Sequence, residues 1–424
     1  MASTGLNSSV PTANAAPARA EIVLAVASCN HARTIRDAVG ATRAGLSRIT
    51  ADEAAVVLVD GGSTDGTRER VADLVQSGQI RELDFERPPA ILAEEPYHGF
   101  SGRAAALRAV LEEARRLQAK ACAIVDAGID HPNPAHVAQL LAPVCDGAFD
   151  HVSAFYTRHR YDGALTKGIV RPAFRALYGS AIRQPLATEF CCSAGLVEHY
   201  LQQDLWEAEH AAVGIDLWLQ SEAACSGFRL CEAALGMRRP ASREQVPDLS
   251  TTLAQVVGAL FADIDTRADV WQRVRGSTRV PLVGSVSDTE PDAQPPHLER
   301  LVEAFRLGYR ELRDIWTWVL PAATLVALRK LAEAPSERFC FDDDLWASVI
   351  YDCAFGYSQR VMAREHLLRS LTPLYSGWLA SFGFAVRDAS PSEVENRLEQ
   401  ICRAFERQKR QLIARWRWPE RLRR

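Results

Sequence analysis

Apolar and polar residues follow two alternating patterns from residue 21 to about residue 155. Short apolar runs of strand length are separated by stretches whose apolar residues recur at helical spacing. The strand-like runs are EIVLAVASCN, AAVVLVDGGSTDGT and ACAIVD, and the helix-like stretches are TIRDAVGATRAGL, TRERVADLVQSG and AAALRAVLEEARRLQ. This alternation predicts a parallel sheet covered on both faces. The carboxyl ends of its strands would bring Asn30, Asp60 and Asp126 to one edge.

The pattern changes twice further along. Short elements and polar clusters follow to about residue 240, and the Pro- and Asp-rich stretch GSVSDTEPDAQPPH then indicates a linker. Beyond it, three long segments carry apolar residues at helical spacing. We therefore predict a disordered tail, an α/β domain, a linker and a helical C-terminal domain, with boundaries at 1–20, 21–275, 276–297 and 298–424.

Composition narrows the class of protein. Hydrophobic residues make up 47% and charged residues 24%, as in globular domains, and no apolar run approaches the roughly 20 residues that span a bilayer. The first twenty residues lack the apolar core of a signal peptide, which predicts a cytoplasmic protein without a membrane span. A formal net charge of -4 gives no reason to expect nucleic acid as a partner, and ten cysteines without C-x-x-C spacing argue against structural zinc.

Two loops of the sequence could contact a nucleotide. In VDGGSTDGT, Asp60 ends a strand and could accept hydrogen bonds from a base or ribose. The alternative is an ordinary strand-to-helix turn in which Ser63 or Asp65 caps the helix. In YHGFSGRAAALR, a glycine-bearing loop enters a helix with Arg103 near its start, and such a loop can present N–H groups and a cation to phosphate.

The segment CAIVDAGIDHPNP ends an apolar run with Asp126. A carboxylate at the end of a parallel strand is well placed for ligand chemistry. A metal on a phosphate substrate would need a second carboxylate two residues later, on the same face of the chain, and that position is Gly128. The residues alone allow a metal site that lacks one ligand, a site that works without metal, or no site.

In this order and spacing, these segments resemble the nucleotide-sugar half of a GT-A glycosyltransferase of the family 2 type. Further along, YTRHRYDGALTKGIVRPAFRALYG, RQPLATE and VGIDLWL resemble the acceptor half of retaining enzymes of the mannosylglycerate, glucosyl-3-phosphoglycerate and glucosylglycerate synthase group. The resemblance covers about residues 21–260. It implies a Rossmann-like, mostly parallel α/β sheet with a helical C-terminal region. It also implies retaining transfer of a hexosyl group from a nucleoside-diphosphate sugar to a glycerate-like hydroxy acid, as in compatible-solute synthesis.

The resemblance assigns the acceptor site to Arg158, Asp162 and Thr166, which are spaced four apart. A guanidinium pairs with a carboxylate in a bidentate fork, while Asp and Thr can bind acceptor hydroxyls. The alternative is a row of solvent-facing residues at i, i+4 spacing on a helix.

The resemblance also assigns contacts to the donor sugar. Gln184, Leu186 through its carbonyl, and Glu189 lie in RQPLATE, and Asp216 in VGIDLWL is expected near the sugar hydroxyls. Asp216 could instead be the N-cap of the helix LWLQSEAA. With the earlier loops, the donor-binding set comprises Asn30, Asp60, Arg103, Asp126, Gln184 and Glu189.

The chain departs from the family pattern at the metal. In that pattern, the second carboxylate of D-x-D and a later histidine hold Mg²⁺ or Mn²⁺ on the diphosphate. Here Gly128 replaces the carboxylate, and the segment expected to supply the histidine carries Arg238 and Arg239. Asp126 would then be the remaining candidate ligand, with Asp130 and His131 as neighbouring substitutes.

Loss of both ligands has two interpretations. Arginines can stabilise a leaving diphosphate as preorganised donors, which would make the enzyme metal-independent, with Arg103, Arg238 and Arg239 in that role. Alternatively, the chain is a catalytically inactive pseudo-glycosyltransferase that binds a sugar nucleotide or regulates another protein.

A nucleotidyltransferase is a hypothesis from another class of enzyme. A nucleotidyltransferase shares the strand-loop-helix start, but it would need a glycine-rich basic loop after the first strand, and ASCNHARTIR supplies no glycine.

The aromatic residues of DIWTWVL and LYSGWLASFGF indicate either core packing or a homodimer interface.

Overall fold

A computed structural model describes most of the chain. The described residues are 19–49, 54–87, 95–129, 132–207, 211–237, 248–286, 290–291 and 296–418. The predicted tail lies almost entirely outside them, as do Asp130, His131, Arg238 and Arg239.

The strands of the described residues form one mixed sheet of eight strands, in the order β3-β2-β1-β4-β6-β5-β7-β8. Strand β6 runs antiparallel to both of its neighbours, and the other neighbouring pairs are parallel. The prediction of a mostly parallel α/β sheet is therefore confirmed. The strands are β1 (Ile22–Ser28), β2 (Ala54–Asp60), β3 (Arg81–Glu82), β4 (Ala121–Asp126), β5 (His151–Thr157), β6 (Phe190–Ser193), β7 (Leu230–Met237) and β8 (Leu282–Val283).

Helices cover the sheet and continue beyond it to form the predicted helical C-terminal region. Those within the α/β part are α1 (Ile35–Leu46), α2 (Ala72–Gln76), α3 (Arg103–Arg116), α4 (Pro134–Cys145), α5 (Arg171–Tyr178), α6 (Ala194–Leu201), α7 (Ala211–Cys225), α8 (Leu249–Thr266) and α9 (Ala268–Trp271). The C-terminal helices are α10 (Leu298–Trp316), α11 (Ala322–Glu333), α12 (Asp343–Ser358), α13 (Arg364–Val386) and α14 (Pro391–Arg417). A π-helical turn, Thr166–Val170, leads into α5.

Strand register brings the expected polar residues to one edge. Asp60 pairs with Ser28 across β1 and β2, and Asp126 pairs with Ala27 across β1 and β4. Asn30 follows two residues after β1 ends. Because parallel strands end at the same edge, the three residues lie at that edge, as the sequence pattern predicts.

The alternation of side chains along β1 divides the core into two layers. Val23 and Ala25 belong to one buried cluster, with α3, α6 and α7, whereas Leu24 and Val26 belong to the other, with α1 and α4. Successive side chains of a strand point to opposite faces, so a strand buried on both faces must be apolar throughout.

The C-terminal helices share a third buried cluster with α5 and α8, in which Phe174 and Leu260 pack with residues of α12, α13 and α14. Trp346 donates its indole N–H to the carbonyl of Gly168 at 2.8 Å. A Cβ at Gly168 would meet the ring of Trp378, so the backbone and the indole are in direct contact. The segment predicted as a linker contributes β8, which pairs with β7. The helical region is therefore packed onto the α/β part, and a division into domains at 276–297 stays a prediction.

The aromatic residues of the C-terminal region divide between core and surface. Trp316 and Trp378 are each 1% exposed, as the core interpretation predicts, whereas Trp318 is 72% exposed. Within the described chain, no helix combines the length and apolar character needed to cross a membrane.

Candidate active site

Asp60 and Asn30 organise the loop that follows β2. One carboxylate oxygen of Asp60 accepts the N–H groups of Gly62 and Ser63 at 3.0 and 2.8 Å, and the other accepts the Ser63 hydroxyl at 2.6 Å. Asn30 has φ 57° and donates its N–H to Ser63, while its side-chain oxygen accepts from Thr64 at 2.8 Å. Asp60 is 5% exposed, so its principal contacts are to this loop, whereas Asn30 is exposed at the sheet edge.

Arg103 and Asp216, both predicted to contact the donor, form a buried ion pair with each other. The guanidinium Nε lies 2.8 Å from Asp216 Oδ2, and Nη2 donates to Asp216 Oδ1 at 2.8 Å and to the Thr188 carbonyl at 2.6 Å. The two residues are 3% and 1% exposed. Arg103 therefore has its charge compensated inside the protein and does not present it to a diphosphate.

The position of Asp216 also corrects its alternative interpretation. It lies in the middle of α7 (Ala211–Cys225), so it cannot cap that helix. Its role in the described structure is to hold the first residue of α3 against α7, across 113 residues of sequence.

Glu189 is buried and forms a hydrogen bond with the backbone of Asp126. It is 4% exposed, and its Oε1 accepts the N–H of Asp126 at 3.2 Å. Its other oxygen accepts the hydroxyl of Tyr156 in a short hydrogen bond. Its described contacts are thus to the end of β4 and to β5, and the contact of Glu189 with the donor stays a prediction.

Asp126 itself lies at the edge of the site. One of its oxygens accepts the N–H of Gly128 at 2.8 Å, and the hydroxyl of Thr188 lies 3.4 Å from the other. Both Asp126 and Thr188 line the large cavity described below.

His31 occupies the space in which a second carboxylate would project. A Cβ built on Gly128 would lie 2.6 Å from His31 Nε2 and 3.1 Å from Asp126 Oδ1. The imidazole therefore covers Gly128 beside Asp126, and glycine is needed there to admit it. The motif pattern did not identify His31, because the ring reaches Gly128 from the loop after β1, 97 positions away in sequence.

The described residues do not assemble the metal site that the family pattern implies. Among them, no three His, Cys, Asp or Glu side chains converge where they could hold an ion. Asp126 and His31 supply two donor groups near each other, and substrate phosphates and water usually complete the ligands of Mg²⁺ in such sites. The substitutes Asp130 and His131 lie outside the described residues, so we derive no step through a metal.

We expect Gly128→Asp to displace the His31 ring and to lower the free energy of unfolding by about 1–3 kcal/mol, the usual range for overpacking. Urea unfolding measures the effect. Adding His31→Ala should recover most of the loss, with His31→Ala alone as the control. A double variant as unstable as Gly128→Asp would show that the imidazole is not what fills this space.

A cavity of about 880 Å³ opens at this edge of the sheet and joins the donor and acceptor candidates. Asp126, Thr188, Gln184 and Leu186 line it, and so do Arg158, Asp162 and Thr166. Its volume is within the range of small-molecule sites. Further lining residues come from α8 and α14 and include Thr252, Val256, Pro391, Val394, Glu395 and Leu398.

The three acceptor candidates lie on a loop and a π-helical turn, not on a regular helix. Arg158 follows β5, Asp162 lies in the turn after it, and Thr166 begins the π-helical turn. Gly163 has φ 65°, and a Cβ there would lie 3.6 Å from Arg158 Nη1, so the guanidinium lies against this turn. The alternative of a solvent-facing helical row is therefore wrong.

Gln184 lines the cavity while it holds the chain beside β5. Its side-chain N–H donates to the carbonyl of Tyr156 at 2.6 Å, and its oxygen accepts the Tyr156 N–H at 3.3 Å. The side-chain amide of Gln184 thus makes the two backbone hydrogen bonds that a neighbouring strand would make with Tyr156. Leu186, half-buried, follows directly and lines the same cavity.

Lys167 is a further cation of the acceptor region that the motif analysis did not identify. It lines the cavity, and its Nζ donates to the carbonyls of His159 and Arg160 at 2.9 and 3.1 Å. Burial, together with the nearby Arg158 cation, lowers the pKa of Lys167 to about 8. The charged groups that act on it are Arg158, Asp162, Glu290 and Arg171.

For a carboxylate acceptor, as the sequence predicts, we expect the KM to rise about fivefold as the pH rises through about 8. Loss of the Lys167 charge would remove one weak ion pair, which contributes up to about 1 kcal/mol. Lys167 is charged below its pKa and neutral above it, whereas a carboxylate acceptor keeps its charge throughout. A pH series of initial rates measures the effect, and Lys167→Met should remove the inflection. Lys409 is the matched control: burial also lowers its pKa to about 8, but it donates to Ala176 in the core. An inflection that survives Lys167→Met and disappears in Lys409→Met would contradict the assignment.

Comparison with solved structures finds chains of limited similarity. Similar structures include glucosyl-3-phosphoglycerate synthases from Mycobacterium tuberculosis. The complex with Mn²⁺, UDP-glucose and phosphoglyceric acid has 19% sequence identity and a TM-score of 0.42, over 59% of this chain and 80% of that chain. The complex with phosphoglyceric acid has 20% identity and a TM-score of 0.40, over 58% and 80% of the two chains. No protein-family model and no curated protein matches the sequence.

Proposed function

We propose that this protein is a hexosyltransferase that moves a sugar from a nucleoside diphosphate to a small hydroxy acid. The observation that supports it best is the shared cavity. Asp126 and Thr188 lie at the strand edge, where the donor sugar would bind, and Arg158 and Asp162 lie in the same space. A cation and hydroxyl-binding groups beside a strand-edge carboxylate suit an anionic hydroxylated acceptor.

The proposed reaction needs positioning more than it needs an enzyme nucleophile. The bond between the anomeric carbon and the diphosphate oxygen breaks, and the acceptor hydroxyl forms the new bond on the same face of the sugar. The hydroxyl proton passes to the departing diphosphate. Holding both reactants in one cavity supplies proximity, and Arg158 would orient the acceptor through its carboxylate.

The leaving diphosphate carries a negative charge that cations must stabilise. Arg103 is engaged by Asp216 inside the protein. Arg238 and Arg239 stay candidates for this role, and they lie outside the described residues. A metal-independent mechanism that uses them is therefore a proposal based on the sequence.

The second candidate is a pseudo-glycosyltransferase, which the Arg103–Asp216 pair favours because it removes an expected phosphate contact. Such a protein would bind a sugar nucleotide without turnover. It could be a sensor or a regulatory subunit with the same cavity.

The deciding experiment measures sugar-nucleotide hydrolysis and transfer to glycerate or 3-phosphoglycerate. GDP-, UDP- and ADP-sugars would each be supplied with magnesium, manganese or EDTA, and NMR would give the anomeric configuration of the product. Turnover in EDTA supports an arginine-based site, while metal-dependent turnover points to Asp126, Asp130 and His131. Donor binding without product in any condition supports the pseudoenzyme, and the absence of both binding and turnover overturns both candidates.

A further inference from the structure

The cavity of about 880 Å³ extends from Asp126 past Arg158 to residues of α8 and α14. The side chains that line it beyond Arg158 therefore bear on what else the acceptor carries.

Part of the cavity wall is apolar, and α14 supplies several of its residues. Pro391, Val394 and Leu398 line the cavity at i, i+3 and i+7 of α14, so they share one face of that helix. Val394 and Leu398 belong to the same buried cluster as Val256 of α8. Leu165 and Leu186, which also line the cavity, pack against this cluster.

The charged groups interspersed in this wall are paired with one another. Glu395 binds Arg171, with Nη1 and Oε2 3.3 Å apart. Arg160 lies 3.0 Å from Glu290 and donates to the carbonyl of Val386 at 2.8 Å. The first pair joins α14 to α5, and Arg160 joins the acceptor loop to the end of α13. Because these charges are compensated, the apolar side chains between them are suited to an apolar group.

We propose that the acceptor is a hydroxy acid that carries an alkyl or aryl group, which packs against Val394, Leu398 and Val256. This inference rests on the proposed function, because it names the acceptor class of the same site. The carboxylate would lie at Arg158 and the reacting hydroxyl near Asp162. The helical C-terminal region thereby determines acceptor specificity.

The test uses acceptors that share one α-hydroxy carboxylate and differ in the apolar group: lactate, hydroxybutanoate, hydroxyhexanoate and phenyllactate, with glycerate for comparison. Calorimetry measures their binding to the full-length protein in the presence of a nucleoside diphosphate, and initial rates measure transfer. We expect affinity to increase about fourfold for each methylene that becomes buried. Equal or weaker binding of the longer acids would overturn the inference.

Variants of the wall separate a specificity role from a general structural one. Val394→Ser should weaken binding of hydroxyhexanoate about fivefold to tenfold and change glycerate binding less than twofold. Val256→Ser provides the same test from α8, in case α14 tolerates its change poorly. Asn396→Ser is the matched control, since Asn396 lies on α14, is exposed and does not line this cavity. A Val394→Ser variant that weakens glycerate and hydroxyhexanoate equally, or that weakens the nucleotide instead, contradicts the assignment.

The two proposals fail differently. Chain-length-dependent binding without transfer supports the acceptor class and overturns the transferase. Transfer to glycerate with no preference for longer acids supports the transferase and overturns the apolar acceptor.

Discussion

Asp216→Ala is expected to lower the free energy of unfolding by about 3–5 kcal/mol, the usual cost of leaving one member of a buried ion pair without its partner. The variant would retain the Arg103 guanidinium in a site where it is 3% exposed, with its hydrogen bond to the Thr188 carbonyl but without a carboxylate partner in Asp216. Chemical denaturation with a two-state fit is the direct measurement. The same variant should weaken the attachment of α3 to α7.

Two controls make the result specific. Replacing both members, as Arg103→Met with Asp216→Leu, removes the charge together with its partner and should recover much of the loss. Asp73→Ala breaks an ion pair with Arg36 whose side chains are 58% and 55% exposed, and we expect a much smaller loss of stability because solvent screens this pair. If Asp216→Ala costs no more than Asp73→Ala, the buried pair does not hold these helices together.

Arg158→Ala is expected to raise the acceptor KM about 10- to 100-fold, as hydrogen bonds to a charged group contribute about 1.5–3 kcal/mol. The guanidinium lines the cavity beside Asp162 and lies against the turn at Gly163. Donor affinity, measured by calorimetry with the nucleoside diphosphate, should change little. Initial rates at varied acceptor concentration separate the two effects.

Arg158→Lys keeps the charge but loses the planar fork, so its KM should fall between those of the wild type and Arg158→Ala. Arg115→Ala serves as the control, because Arg115 is exposed on α3 and does not line the cavity. Unchanged acceptor kinetics in Arg158→Ala would remove Arg158 from the acceptor site.

Local pattern was enough to predict β1, β2 and β4 and the edge to which they bring Asn30, Asp60 and Asp126, whereas it did not predict the other five strands of the described sheet. Apolar runs buried on both faces and helical periodicity are properties of short windows, so they are readable without a partner segment. The cap of α12 is equally local: Asp342 accepts the N–H of Leu345 at 2.9 Å, three residues further on.

Motif spacing was less reliable for what each side chain does. It placed Arg158, Asp162 and Thr166 in one region, and they line one cavity. It also assigned Arg103 and Asp216 to the donor, whereas the fold joins them to each other. The sequence around an arginine at the start of a helix is the same whether its side chain faces a ligand or a buried carboxylate.

The sequence by itself determined the elements, the order in which they alternate and the polar residues at the strand ends, because these depend on the nearest neighbours in the chain. The tertiary structure decided the pairing of Arg103 with Asp216, the covering of Gly128 by His31 and the closing of the cavity by Val394 and Leu398. Each of these contacts joins segments that are far apart in sequence. Burial and packing between distant segments set which charges are neutralised and which surfaces remain for a ligand, and no short window contains that information.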